Sequence, residues 1–135
     1  GLKSCNINCS RVLIHDAARP FVSNKIIDDC IKKLNHYKAV TPVVPIINTL
    51  IKKEGNIVKE MPERSSLFGE QTPQGFHYKS ILDAHKNYSG QTTDDIRLIF
   101  SSGIRCSTIN GHENNFKITT EIDLKLANLI AKEIN

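Results

Sequence analysis

Residues Arg11 to Pro20, RVLIHDAARP, decide the fold. A short apolar run, Arg11–His15, stops abruptly at Asp16-Ala17-Ala18-Arg19-Pro20. This is the pattern of a buried strand whose carboxyl end opens into a polar loop. Beyond it, Ser23 or Asn24 stands where a helix cap is needed, and Ile26, Ile27, Cys30, Ile31 and Leu34 recur at helical spacing. Ala39–Pro45 then returns as a strand. Strand, helix and strand in that order predict a βαβ unit and a mainly parallel sheet, which is the α/β class.

Further along, Ile46–Lys53 and Asn56–Met61 are β-prone runs on either side of Glu54-Gly55. They predict a hairpin too polar at its tip to lie in a core, projecting as an arm or lid over about residues 46–64. Ser66–Gln74 reads as extended, because Thr72 precedes a proline. Helices are expected from about Tyr78 to Asn87, with Ile81, Leu82 and His85 on one face, and from the Thr92-Thr93-Asp94-Asp95 cap through Phe100. Ile104–Ile109 reads as another strand. Thr120-x-x-Asp123 resembles a capping box, and the helix it opens, Glu121–Ile134, aligns Leu124, Ala127, Ile130, Ala131 and Ile134 in one stripe. Residues 1–10 are polar, without periodicity, and read as a tail or as the end of a truncated element.

With 135 residues, 39% hydrophobic and 24% charged, the chain is one domain with one modest core. Those fractions exclude a disordered, collagenous or coiled-coil chain. No apolar run nears the roughly 20 residues that cross a bilayer, and the first residues have no secretory pattern. A net charge of +4 without a dense basic tract suits an anionic small molecule at least as well as nucleic acid, and neither a nucleic-acid nor a membrane partner is expected. Cys5, Cys9, Cys30 and Cys106 read as reduced thiols. Cys5 and Cys9 have the spacing of half a metal site, but no second pair of ligands accompanies them.

In open α/β sheets, ligands collect where loops leave the carboxyl ends of strands. Asp16 and Arg19 follow the first strand, Thr49 and Arg64 lie on or beside the arm, and Thr72 follows it. Thr93 and Asp94 open a helix, and Lys117 follows the last loop. A carboxylate, two arginines, a lysine and several hydroxyls suit a phosphorylated polyol. Asp16 also suits a metal ion. Each residue has a plainer reading beside this one. Asp16 fits a turn-forming Asx residue, Arg19 and Arg64 solvated charges, Thr93 an N-cap, and Lys117 is one of eighteen basic residues. His15 fits a satisfied buried histidine. The other histidines lack a serine or cysteine partner, so no hydrolase triad is read. Neither a P-loop nor a dinucleotide fingerprint occurs.

Taken together, VLIHDAARPF, the hairpin ending in Arg64, QTPQ, TTDD and NFKIT resemble, in this order, the 2-C-methyl-D-erythritol 4-phosphate cytidylyltransferases of the non-mevalonate isoprenoid pathway. The ribitol 5-phosphate cytidylyltransferases share the frame. The resemblance runs from Arg11 to Asn135 and implies a Rossmann-like nucleotidyltransferase sheet with a projecting β-hairpin arm. It implies cytoplasmic transfer of a cytidylyl group from CTP to a sugar-alcohol phosphate, with Mg²⁺ as cofactor and a homodimer joined by the arm. A non-catalytic dimerising remnant is the third reading. By resemblance Asp16, Ala17 and Arg19 face the substrates, Thr49 and Arg64 reach into a partner's site, and Thr72 and Thr93 line the pocket. Arg64 and Lys117 match the residues that position the acceptor phosphate, and no residue of the chain matches a metal ligand. Family members open with a strand and a glycine-rich basic loop that cradles the triphosphate, and no such stretch occurs here. The chain therefore corresponds to the carboxyl-terminal part of the single cytidylyltransferase domain, residues 1–135, and by itself is expected not to turn over CTP.

Overall fold

Period-two alternation and local caps explain most of the architecture. The computed structural model describes residues 1–6, 8–88 and 94–134. Its elements are β1 (Arg11–Ile14), α1 (Asn24–Lys33), β2 (Ala39–Pro45), β3 (Lys52–Glu54), β4 (Ile57–Glu60), β5 (Phe68–Glu70), β6 (Gln74–His77), α2 (Tyr78–Asn87), α3 (Asp95–Ser101), β7 (Cys106–Asn110) and α4 (Glu121–Ile134). Ser23 caps α1 by accepting from the Ile26 N–H, and Asp94 does the same for α3 at Ile96. At the head of α4, Asp123 accepts from the Thr120 N–H at 2.8 Å while its own N–H donates to Thr120 Oγ1 at 3.2 Å. This is the reciprocal box that the spacing predicts.

The sheet is mixed, which corrects the expectation of a mainly parallel one. β6 lies between β1 and β2 and runs antiparallel to both. β5 is antiparallel to the far half of β2, and only β7 pairs with β2 in parallel among the described residues. β1 and β2 do point the same way with α1 as the crossover, so the βαβ unit is present with a strand inserted into it. Sequence pattern alone cannot report that insertion.

Alternation sends neighbouring side chains to opposite faces. Ala39, Phe76, Val12 and Ile14 pack with Ile81 and Ala84 of α2 and with Leu98 and Ile99 of α3. Val40 and Leu13 turn the other way, onto Cys30 of α1 and Leu34 just beyond it. Two further expectations are revised. Residues 1–6 are docked: Leu2 packs on the first cluster and its carbonyl accepts from the Tyr78 hydroxyl at 3.0 Å. On α4 only Ala127 of the described stripe is fully buried, whereas Leu124 is 52% exposed.

The arm is present but shorter than its apolar runs. β3 and β4 form a separate two-stranded ribbon turning at Gly55, whose φ of +55° explains a glycine there. All of its strand residues are exposed.

Candidate active site

Ile14 pairs with Gln74, so the turn after β1 and the segment before β6 meet at one end of the sheet. Asp16–Arg19 form a tight turn, closed by the Arg19 N–H on the Asp16 carbonyl at 3.0 Å. The Thr72 hydroxyl accepts from the Asp16 N–H at 3.0 Å and lies 2.8 Å from His15 Nδ1. The Arg19 carbonyl beside Nε2 can only accept, so the neutral ring carries its hydrogen on Nε2 and the hydroxyl's proton goes to Nδ1. Nε2 then donates to the Arg19 carbonyl at 2.9 Å. His15 is thus satisfied, as expected, although it is exposed rather than buried.

The third segment, after β7, is held against these two. Ile118 N–H donates to the Ala18 carbonyl at 2.8 Å, which brings Lys117 over the turn. Lys117 Nζ then sits 3.0 Å from Asp16 Oδ2, and Arg19 Nε lies 3.5 Å from the same oxygen. The hydrogen bond from Lys117, with the added charge of Arg19, holds the Asp16 carboxyl below its ordinary value despite partial burial. Arg19 is not the solvated charge of the plainer reading. Its side chain is 13% exposed and donates to the carbonyls of Asn115 at 2.8 Å and Glu70 at 3.4 Å. It clamps three segments together.

Beneath them lies a support of buried amides. Asn115, 1% exposed, donates to the Thr72 carbonyl at 2.8 Å and to Gln71 Oε1 at 3.3 Å. Gln71 spans to His112, donating to its carbonyl and accepting from its N–H. Gly111 is required by this packing, since a Cβ there would stand 2.4 Å from Gln71 Oε1.

Asp16, Arg19, Thr72 and Lys117 thus converge on one small polar cavity of about 230 Å³, and Glu70, Gln71, Gln74 and Asp94 complete its lining. Larger hollows of about 610 and 620 Å³ lie elsewhere, but without such a convergence of paired charges. Ala17 is exposed on the turn beside the cavity. Thr49 and Arg64 are not brought to it. Both are exposed on the arm, where Arg64 donates to the Ile47 carbonyl at 2.7 Å beside a separate hollow. Thr93 lies outside the described residues.

Sequence reasoning gave no role to Glu70 or Gln74. Gln74 donates to Glu70 Oε1 and to Asp94 Oδ1, both at 2.8 Å, while Thr41 donates to Glu70 Oε1 at 2.9 Å. Burial, reinforced by the hydrogen bond and negative charge of Asp94, pushes the Glu70 carboxyl up to about 7. The only advance signal was Gln74 in QTPQ. All four cysteines are free, and among the described residues no three potential metal ligands converge.

A family model described as 2-C-methyl-D-erythritol 4-phosphate cytidylyltransferase matches residues 1–133. A protein of that name from Clostridioides difficile is 43% identical over 96% of this chain and 56% of its own length. A ribitol-5-phosphate cytidylyltransferase from Lactiplantibacillus plantarum is 36% identical over 90% of this chain and 54% of its own. The crystal structure of the 2-C-methyl-D-erythritol 4-phosphate cytidylyltransferase from Thermus thermophilus superimposes with a TM-score of 0.87 and 31% identity, over 97% of this chain and 65% of that one. The chain spans about half the length of the curated relatives it matches. With the fold shared and the family model spanning nearly every residue, the chain belongs to the 2-C-methyl-D-erythritol 4-phosphate cytidylyltransferase family.

Proposed function

We propose that the protein transfers the cytidylyl group of CTP to 2-C-methyl-D-erythritol 4-phosphate and releases pyrophosphate, in non-mevalonate isoprenoid synthesis. The observation that carries this reading is the Lys117–Asp16–Arg19 cluster over a polar cavity, in a chain of this family. An oxygen of the acceptor phosphate forms a bond to the α-phosphorus of CTP. The bond from that phosphorus to the bridging oxygen breaks, and pyrophosphate departs with the electron pair. A phosphate monoester is nucleophilic without a base, so the protein's work is alignment and charge neutralisation. Lys117 supplies a mobile positive charge to the acceptor phosphate. Asp16 steers Lys117, and the Arg19 clamp keeps the turn in place.

Mg²⁺ fits this site as an ion that arrives with the nucleotide. Such ions take one or two carboxylates and otherwise waters and phosphate oxygens, and Asp16 is an ionised, partly exposed carboxylate of that kind. When bound, the ion neutralises charge on the phosphates. Thr49 and Arg64 serve a second copy's site: the arm reaches across a two-fold axis, since neither residue meets the cavity of its own chain. Thr72 and Thr93 line the acceptor pocket, and Ala17 borders it. We place the reaction in the cytoplasm, the compartment that holds CTP. Among the described residues no helix is long and apolar enough to cross a membrane.

Ribitol 5-phosphate is the alternative acceptor, favoured by the 36% identical relative of that name. CTP-dependent pyrophosphate release by the full-length gene product, with each acceptor in turn, decides the matter. Release with methylerythritol phosphate at least tenfold above that with ribitol phosphate is expected. The reverse ratio selects ribitol phosphate, and no release with either sinks the enzymatic reading in favour of a non-catalytic dimerising protein.

A further inference from the structure

Lys117, Arg19 and Asp16 account for one part of the cavity lining, and the part formed by Glu70, Gln74 and Asp94 has no role in the chemistry above. It is nonetheless built with care. Gln74, 6% exposed, extends its two amide hydrogens to different carboxyls, Glu70 Oε1 and Asp94 Oδ1, each at 2.8 Å. Its own oxygen accepts from the Ile96 N–H at 3.0 Å, which fixes which way the amide points. Thr41, 7% exposed, adds a second donor to Glu70 Oε1 at 2.9 Å. Two carboxyls are therefore held side by side by buried neighbours, in a cavity where a polar ligand would meet them.

We propose that Glu70 and Asp94 are specificity-determining residues that read the hydroxyl groups of the acceptor, as a carboxyl pair that shares one proton between its members and presents its remaining oxygens as acceptors. The proposal rests on the reading that a polyol phosphate occupies this cavity. Charge explains why one proton must stay. With Glu70 protonated, Lys117 and Arg19 balance Asp16 and Asp94, and the lining is neutral. Once Glu70 ionises the lining carries a net negative charge, which repels a phosphate dianion, and the two carboxylates, no longer joined by a proton, repel each other. Burial and the Asp94 hydrogen bond hold that proton up to about pH 7, with the Thr41 hydrogen bond and the charge of Arg19 opposing them. The groups facing the pair are Arg19, Asp16 and Lys117 at the cavity and Cys106, whose thiol is pushed up by burial and by Glu70. His15 stands beyond Thr72.

The test is calorimetric titration of the full-length gene product with 2-C-methyl-D-erythritol 4-phosphate, ribitol 5-phosphate and ethyl phosphate, an ester without free hydroxyls. The wild type should bind its preferred polyol phosphate at least ten times more tightly than ethyl phosphate at pH 6.5. Glu70→Ala should bring the two within about twofold. Wild-type affinity for the polyol phosphate should fall about tenfold between pH 6.5 and 8.5. The ligand phosphate contributes little to that fall, because its second ionisation near pH 6 is largely complete at the start. Glu70→Gln keeps a neutral donor toward Asp94 that cannot ionise, and should flatten the pH profile with His15 untouched. Thermal melts confirm that both variants fold. Equal wild-type affinity for polyol phosphate and ethyl phosphate overturns the proposal. So does discrimination that survives in a folded Glu70→Ala, or a pH profile unchanged in Glu70→Gln. A protein that discriminates in this way yet transfers no cytidylyl group fails the proposed function and leaves this inference standing. One that binds no polyol phosphate defeats both.

Discussion

Arg64 and Lys117 differ in what holds them, and that difference makes their roles testable. Lys117 is fixed by its ion pair with Asp16, whereas Arg64 is exposed on the arm with one guanidinium nitrogen on the Ile47 carbonyl. If both grip the acceptor phosphate, Lys117→Ala or Arg64→Ala should lower kcat/KM for the acceptor about 100-fold, or roughly 3 kcal/mol. Arg64→Lys should restore little, because a point charge cannot replace a fork on two phosphate oxygens. CTP affinity should change far less for Arg64→Ala than for Lys117→Ala. Steady-state kinetics with nucleotide titrations check this, and near-wild-type constants for Arg64→Ala would make it an ordinary surface charge. Asp16, Arg19, Thr72 and Lys117 were legible in the sequence because each belongs to a loop leaving or entering a strand, and those loops share a sheet edge. Glu70 was not legible. In FGEQ it looks like any surface acid, and its character comes from Thr41, Gln74 and Asp94, which approach it only in the fold.

At the scale of elements, the helices α2 and α4 were readable almost to the residue, since period and capping are local properties. The sheet was not, because β6 inserts between β1 and β2 from far downstream, and direction is a property of pairs of strands. Arm strands were overestimated for a related reason: Ile46–Ile51 is β-prone, yet among the described residues no strand pairs with it. That lack drives the second prediction. Ile57 on the ribbon is 64% exposed, and Ile47 and Met61 flanking it are 74% and 66% exposed, while a two-stranded ribbon is marginal without a surface to rest on. The proposed exchange of arms between two copies would cover these side chains. Replacing Asn48–Val58 with a short Gly-Ser turn should yield a monomer on sizing chromatography. It should also remove activity, since Thr49 goes with the arm. An oligomer of unchanged size after the deletion would end the arm's role in assembly.

For the whole molecule, the raised Glu70 carboxyl sets a sign for stability against pH. A carboxyl whose folded value, about 7, exceeds its ordinary value of 4.5 keeps a proton that the unfolded chain releases between those limits. Stability from this group is therefore full below about pH 4.5, falls as pH rises toward 7, and is level above. Glu70 is half-buried, so screening by water reduces the loss to on the order of 1–2 kcal/mol. Asp16 and Asp123 act in the opposite sense and at lower pH. Both are held down by hydrogen bonds, Asp123 to about 2, so what they contribute is lost as pH falls below the ordinary carboxylate range. Melting temperature should decline from pH 5 to pH 7.5, and Glu70→Gln should remove most of that decline. An equal slope in both proteins would show that Glu70 ionises normally.

The Arg19 clamp has one more consequence, which concerns time. Its bond to the Asn115 carbonyl joins residues 96 positions apart, and Ile118 meets Ala18 across a similar span. Contacts of such separation carry a loop-closure cost and form slowly. During synthesis, the turn that carries Asp16 and Arg19 leaves the ribosome long before the loop that carries Lys117. The cavity is incomplete until that loop has emerged, so a ligand cannot template the folding of the segments made before it. It can only hold the finished structure.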